Sequence, residues 1–151
     1  MRLNSKEEAL YRLDLAKGYL ERAEKAFAMR DFADTVAEAQ LSVENAAKAV
    51  ISCFQIPTWS HDHSEELLDV AKNNQLKIAD LLGSGFIRRL ELLAERVHVI
   101  APEHGRASYG DVERRIPPWS LYPEDDAQKA LKYAREAWAV AKDFVGAWYA
   151  T

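Results

Sequence analysis

The sequence has a single cysteine, Cys53, so no internal disulfide can hold the chain together. It has no run of about eighteen apolar residues, which excludes a membrane-spanning helix. The opening stretch MRLNSKEEALYRLDLAKG has no continuous apolar segment of the kind a signal peptide carries, and we expect a cytoplasmic protein with no membrane attachment. Positive charge is also lacking. A net charge of −4 and a pI near 5.6 argue against a general nucleic-acid coat, which needs a broad excess of Lys and Arg, while leaving room for a local basic patch. Alternating strand patterns are absent as well. At 151 residues and 48% hydrophobic, the chain is large enough to bury one core without disulfide or metal staples, and we read residues 1–151 as a single domain.

What is present is helical periodicity. SKEE at 5–8 matches a capping box, and Ala9, Leu13, Ala16, Leu20, Ala23 and Phe27 follow at three- and four-residue steps, giving a first helix to about Met29. Asp31 suits the N-cap of a second helix, whose apolar positions run from Phe32 through Val36, Val43 and Val50 to Phe54, before Pro57. So short a connection forces the two helices antiparallel. A shorter helix is expected from near Ser64, a helical turn around Ile78 to Leu82, and a long helix through Phe86, Leu90, Leu93, Val97 and Ile100 that Pro102 helps to end. Acids after Pro123 and the stripe Ala127, Ala130, Leu131, Ala134, Trp138, Ala141, Val145 and Trp148 define the last long helix. The expected fold is all-α: an up-and-down bundle of four long helices plus one or two short ones. Residues 102–123, with four of the five prolines and no clear period, read as a long loop, which Tyr109, Trp119 and Tyr122 are expected to pack onto the body.

The chemistry worth weighing lies around that loop. Six of the eleven arginines (Arg88, Arg89, Arg96, Arg106, Arg114 and Arg115) fall between 86 and 115, and no lysine occurs from 78 to 128. Arginine without lysine suits bidentate recognition of phosphate or carboxylate. The competing reading is internal pairing with Glu91, Glu95, Glu103, Asp111 and Glu113. Glu95 and His98 have the Glu-x-x-His spacing of carboxylate-bridged di-iron bundles, but the second copy is missing. HDH at 61–63 could set two imidazoles near a metal, yet it stands beside a helix start, where His and Asp commonly cap or face water. One Glu-x-x-His and one His-x-His do not supply converging ligands, so we expect no metal and no cofactor. Cys53, closing an apolar helix, reads as an inert buried thiol.

YLERAEKAFAMRDFADTVAEAQLSVENAAKAVI at 19–51, the WSHDHSEEL that follows, the Tyr-Gly-Asp bend in HGRASYGD, and EDDAQKALKYAREA together resemble the HEPN family, the higher eukaryotes and prokaryotes nucleotide-binding domain. The resemblance covers nearly the whole chain. It implies a HEPN-like helical bundle, often a homodimer, frequently partnered with a small nucleotidyltransferase in two-component, toxin-antitoxin-like systems. Many members are metal-independent ribonucleases using an Arg followed a few residues later by His near the dimer axis. Here Arg96 and His104 have seven residues between them, and Arg89 and His98 have eight, longer than that motif. Members modified by their nucleotidyltransferase carry Tyr two residues after the His, where Arg106 and Ile100 stand here. Ser108 occupies the place of the family's Arg before the Tyr-Gly bend, with Arg106 close by. These departures favour binding over cleavage.

The expectation is therefore a nucleotide- or RNA-binding protein whose site comprises Arg96, Arg106, Tyr109 and Asp111, with Arg96 and His104 as the weak catalytic pair should it be a ribonuclease toxin. A helical interaction scaffold is the other alternative, because LAKGYLERAEKAF and DFADTVAEAQ also look like helices of a tetratricopeptide repeat. No second copy follows at a thirty-odd-residue period, which counts against it.

Overall fold

The computed structural model describes residues 5–150. Its elements are α1 (Ser5–Ala28), α2 (Phe32–Ser52), α3 (Ser64–Asn73), α4 (Gln75–Leu82), α5 (Phe86–Ile100), α6 (Glu103–Tyr109), a 3₁₀ turn (Pro118–Ser120) and α7 (Glu124–Trp148). Among the described residues the only strand-like feature is an isolated antiparallel bridge between Asp111 and Ile116. The fold class is all-α, as the sequence predicts, with α1, α2, α5 and α7 as the long helices.

α2 is the central element, packed against α1, α3, α5, α6 and α7. Its facing positions are small or β-branched (Ala33, Val36, Ala39, Val43, Ala46, Ala47 and Val50), and α1 answers with Ala9, Ala16, Leu20 and Ala23. Small residues on both helices let the backbones approach closely. Ser42 Oγ shows how closely, donating to the Ala16 carbonyl at 2.6 Å from the neighbouring helix. The turn between the two is made by Arg30 in the left-handed region at φ 60° and by Asp31, which caps α2 by accepting from Asp34 N at 3.1 Å.

The opposite end of the bundle is closed by aromatic packing. Phe144 is fully buried, with ring centroids 5.8 Å from Phe54, 5.7 Å from Phe86 and 5.5 Å from Trp148. Burying a side chain of that size contributes roughly 1.5–3 kcal/mol. α3 and α4 are nearly continuous through Asn74, so the expected turn at 78–82 is a two-turn helix.

Segment 102–123 differs from the expected loop. Pro102 ends α5 and at once stands at the N-terminus of α6, where a missing N–H costs nothing because the first turn has no acceptor for it. Beyond α6 the chain bends at Gly110 (φ 76°), where a Cβ would run into the Ile116 carbonyl oxygen. Asp111 N donates to that oxygen at 2.9 Å, and Ile116 N to Asp111 O at 3.0 Å. Of the three aromatics expected to pack inward, only Tyr122 does. Tyr109 is 77% exposed and Trp119 79%.

Candidate functional site

α6 presents two faces to its neighbours, because successive side chains on a helix point about 100° apart. Glu103 and Arg106, three residues apart, turn toward α7. His104, one residue on from Glu103, turns toward α2.

The α7 side opens into a cleft of about 230 Å³ lined by Ile100, Glu103, Arg106, Tyr122, Lys129 and Tyr133, among others. The Tyr122 hydroxyl donates a short hydrogen bond to Glu103 Oε2. Burial, then that bond and the Glu103 charge, push the Tyr122 hydroxyl well above its ordinary pKa, so it stays protonated and holds Glu103 in place. Arg106 is left with a loose 3.6 Å ion pair to Glu103 Oε1, its guanidinium 5.9 Å from the Tyr122 ring centroid and its side chain half exposed. Lys129 Nζ and the Arg96 guanidinium both address the Tyr133 ring, at 5.8 and 4.3 Å from its centroid. Asp126 also lines the cleft, so cations and acids alternate around it. Such a rim offers directed partners to a ligand rather than a strong uniform field.

The sequence-predicted residues are placed unequally. Arg106 and Tyr109 lie at i and i+3 on α6, spacing that puts neighbours on one helix face. Arg96 stands across Tyr133 in a separate α5–α7 groove. Its Nε is 3.4 Å from Glu136 Oε2, an ionic contact that leaves this buried N–H without a directed hydrogen bond. The Asp111 carboxylate is used locally, accepting from Arg114 N at 3.0 Å across the 111–116 turn. Internal arginine pairing does occur, but mostly with acids of α7: Arg89 meets Asp143 at 3.0 Å, as Arg96 meets Glu136. Lys129 and Tyr133 were missed by sequence reasoning, since they sit unmarked in the helical pattern of α7.

On the α2 side, His104 Nδ1–H donates to Gln40 Oε1 at 3.2 Å, and its ring stacks on His61 with centroids 3.5 Å apart and planes within 17°. His61 Nδ1 lies 3.1 Å from Glu44 Oε1, and Lys48 Nζ 3.5 Å from Glu44 Oε2. Arg96 and His104, the candidate ribonuclease pair, thus engage different partners, on α7 and α2 respectively.

The rest of the HDH segment is occupied by capping and bracing. Asp62 accepts from Ser64 N at 2.9 Å and pairs with His98 at 2.8 Å. Burial opposes ionisation of Asp62, yet these partners hold its pKa below the ordinary value. Glu66 is likewise lowered: hydrogen bonds from Thr58, Gln55 and His63 outweigh burial. His63 itself is fully buried at the start of α3, its Nδ1 3.3 Å from Glu66.

A family model described as HEPN domain fits residues 9–144 of the 151. The chain belongs to the HEPN domain family, whose members are often concerned with nucleotides or RNA. Neither a search of curated proteins nor one of solved structures finds a match.

Proposed function

We propose that this HEPN-domain protein binds a nucleotide or a short RNA at the α6–α7 cleft, and that it does so without efficient RNA cleavage. Arg106 and Lys129 grip phosphate, Arg96 adds positive charge from behind Tyr133, and Tyr109 offers its exposed ring to a base. The observation that carries this reading is a half-exposed, loosely paired arginine lining a cleft that also holds Lys129, with an exposed tyrosine three residues further along α6. Arginine forks hold phosphate and tyrosine rings stack on unpaired bases. At about 230 Å³ the cleft is below the ~300–1,000 Å³ usual for sites that enclose a whole small molecule, so it suits a phosphate and its sugar with the base stacked outside. Asp111, which accepts from Arg114 N, supports this site by shaping the turn that follows α6.

Weak cleavage is the expected outcome because Arg96 and His104 engage different partners, and proton transfer needs its groups within hydrogen-bond reach of the reacting oxygens. The protein works in the cytoplasm as a homodimer alongside a small nucleotidyltransferase. Exposed Leu10 and Tyr11 on α1 supply apolar surface for such contacts. None of the described helices is long and apolar enough to cross a membrane.

Fluorescence anisotropy with a labelled oligoribonucleotide, competed by free nucleotides, tests the reading. Saturable binding that weakens with salt supports it. Robust metal-free cleavage abolished by Arg96→Ala or His104→Ala would replace it with the ribonuclease reading.

A further inference from the structure

We propose that Glu44, His61 and His104 form a binding site for a divalent transition-metal ion of the zinc type. Each of the three offers one ligand atom, and these atoms lie within 4.8 Å of one another, though the residues come from α2, the loop before α3, and α6. Two imidazoles and one carboxylate are a donor set that zinc accepts, with a fourth position left for water or another ligand.

The geometry suits an ion in detail. Glu44 Oε1 and His61 Nδ1 are 3.1 Å apart, held by a shared proton. Two ligands of a tetrahedral ion bound at about 2.0–2.1 Å stand about 3.3–3.4 Å apart, so a metal can take that proton's place with little movement. His104 is prepared from behind. Because its Nδ1–H donates to Gln40 Oε1, its lone pair is on Nε2, and the ring is fixed by an outer partner as ligating histidines usually are. Gln40 is itself buried, with its Nε2 unpartnered, so the amide is committed to this one contact. His104 keeps its bond to Gln40, and the exposed His61 ring tilts out of their 3.5 Å stack to bring its nitrogen to the ion.

The Glu44 side chain is 6% exposed, which gives the ion a dry, anionic anchor, while the His61 side chain is 61% exposed and leaves a path for entry. Lys48, 3.5 Å from the second Glu44 oxygen, balances that charge when no ion is bound. The other two histidines are otherwise engaged, His63 with Glu66 and His98 with Asp62. The expectation of no metal rested on short sequence spacings, and those spacings hold neither Glu44 nor His104.

Tag-free protein, stripped with chelator and titrated with Co²⁺, should develop the intense visible bands of a four- or five-coordinate ion, reaching an end point at one equivalent and bleached by Zn²⁺. His61→Ala and His104→Ala should each weaken Zn²⁺ binding by at least about a hundredfold, more than the 10–100-fold typical when an outer partner is lost, and Gln40→Ala by about tenfold. His98→Gln should leave it unchanged. A cobalt spectrum that stays that of the hydrated ion, or His61→Ala and His104→Ala proteins with wild-type affinity, would overturn the proposal. His61 is exposed, so its variant decides the matter even where Glu44→Gln or Gln40→Ala fails to fold.

Discussion

The two faces of α6 contrast in how their chemistry is assembled. Toward α7 the groups are charged and already half satisfied: Arg106 by Glu103, Arg96 by Glu136 and the Tyr133 ring. Toward α2 they are imidazoles and an amide gathered around one buried carboxylate. On the proposed reading the first face would exchange an internal acid for an external anion, so its affinity should be modest and fall with salt. The second gathers imidazole nitrogens around a buried carboxylate, a donor set that suits a cation. On the two proposals one short helix would serve ligands of opposite charge, and its placement would decide both.

The largest effect should come from disturbing that placement. Gly110 ends α6 at φ 76° and ψ −160°, a region essentially reserved for glycine, and its missing side chain is what lets Ile116 close the turn. Gly110→Ala should lower stability by about 3 kcal/mol, combining backbone strain with a clash against main chain. Urea denaturation measures it, and a loss under about 0.5 kcal/mol would mean that the turn relaxes freely.

Next in size is the separation of the two faces. Arg106→Ala should weaken oligoribonucleotide binding about tenfold, the worth of one charge-assisted contact of about 1.4 kcal/mol, and leave Co²⁺ binding intact. His61→Ala should do the reverse. Loss of both activities in either variant would show that the faces are one site.

Acid should act on the loop that delivers His61. Asp62 and Glu66 have pKa values below their ordinary ones in the folded protein, so the unfolded chain takes up protons first as pH falls. Their contribution is complete above the usual carboxylate range and is lost as pH drops through the lowered folded values. Thermal midpoints measured from pH 6 downward should fall, and Asp62→Asn should flatten that fall. An unchanged slope would remove Asp62 from the brace.

The smallest effect concerns Cys53, whose thiol burial pushes up to about 12 against a partial lowering by Tyr149. At pH 8 iodoacetamide should modify native protein far more slowly than urea-unfolded protein. The stability this raised pKa supplies is full below the ordinary thiol value and is lost as pH climbs toward about 12. Equal alkylation rates in the two states would contradict the burial argument.

The long helices were legible because their apolar stripes are local and periodic: Asp31 does cap α2, and Phe86, Leu90, Leu93, Val97 and Ile100 are all buried on α5. α6 was not. With Gly105 in its middle and only Ala107 buried, seven residues carry no stripe to read, and Pro102 looks like an end rather than a beginning. The candidate site was legible where it is local, in Arg106 and Tyr109. Asp111 looked equally available, but the 111–116 turn claims its carboxylate. Lys129 and Tyr133 reach the cleft, and Glu136 and Asp143 reach the arginines, only through the packing of α7 on α5. Glu44 sits in the helical pattern of α2, seventeen residues before His61 and sixty before His104, so no spacing rule joins them.

The central claim, that nucleotide or RNA is held on the α7 side of α6, is tested most directly by mapping amide shifts of ¹⁵N-labelled protein during titration with an oligoribonucleotide. The account predicts that the largest changes fall at Arg106, Tyr109, Lys129 and Tyr133, with the amides around Gln40, Glu44 and His61 quiet. Changes centred on His61 and His104, or none at saturating RNA, would contradict it.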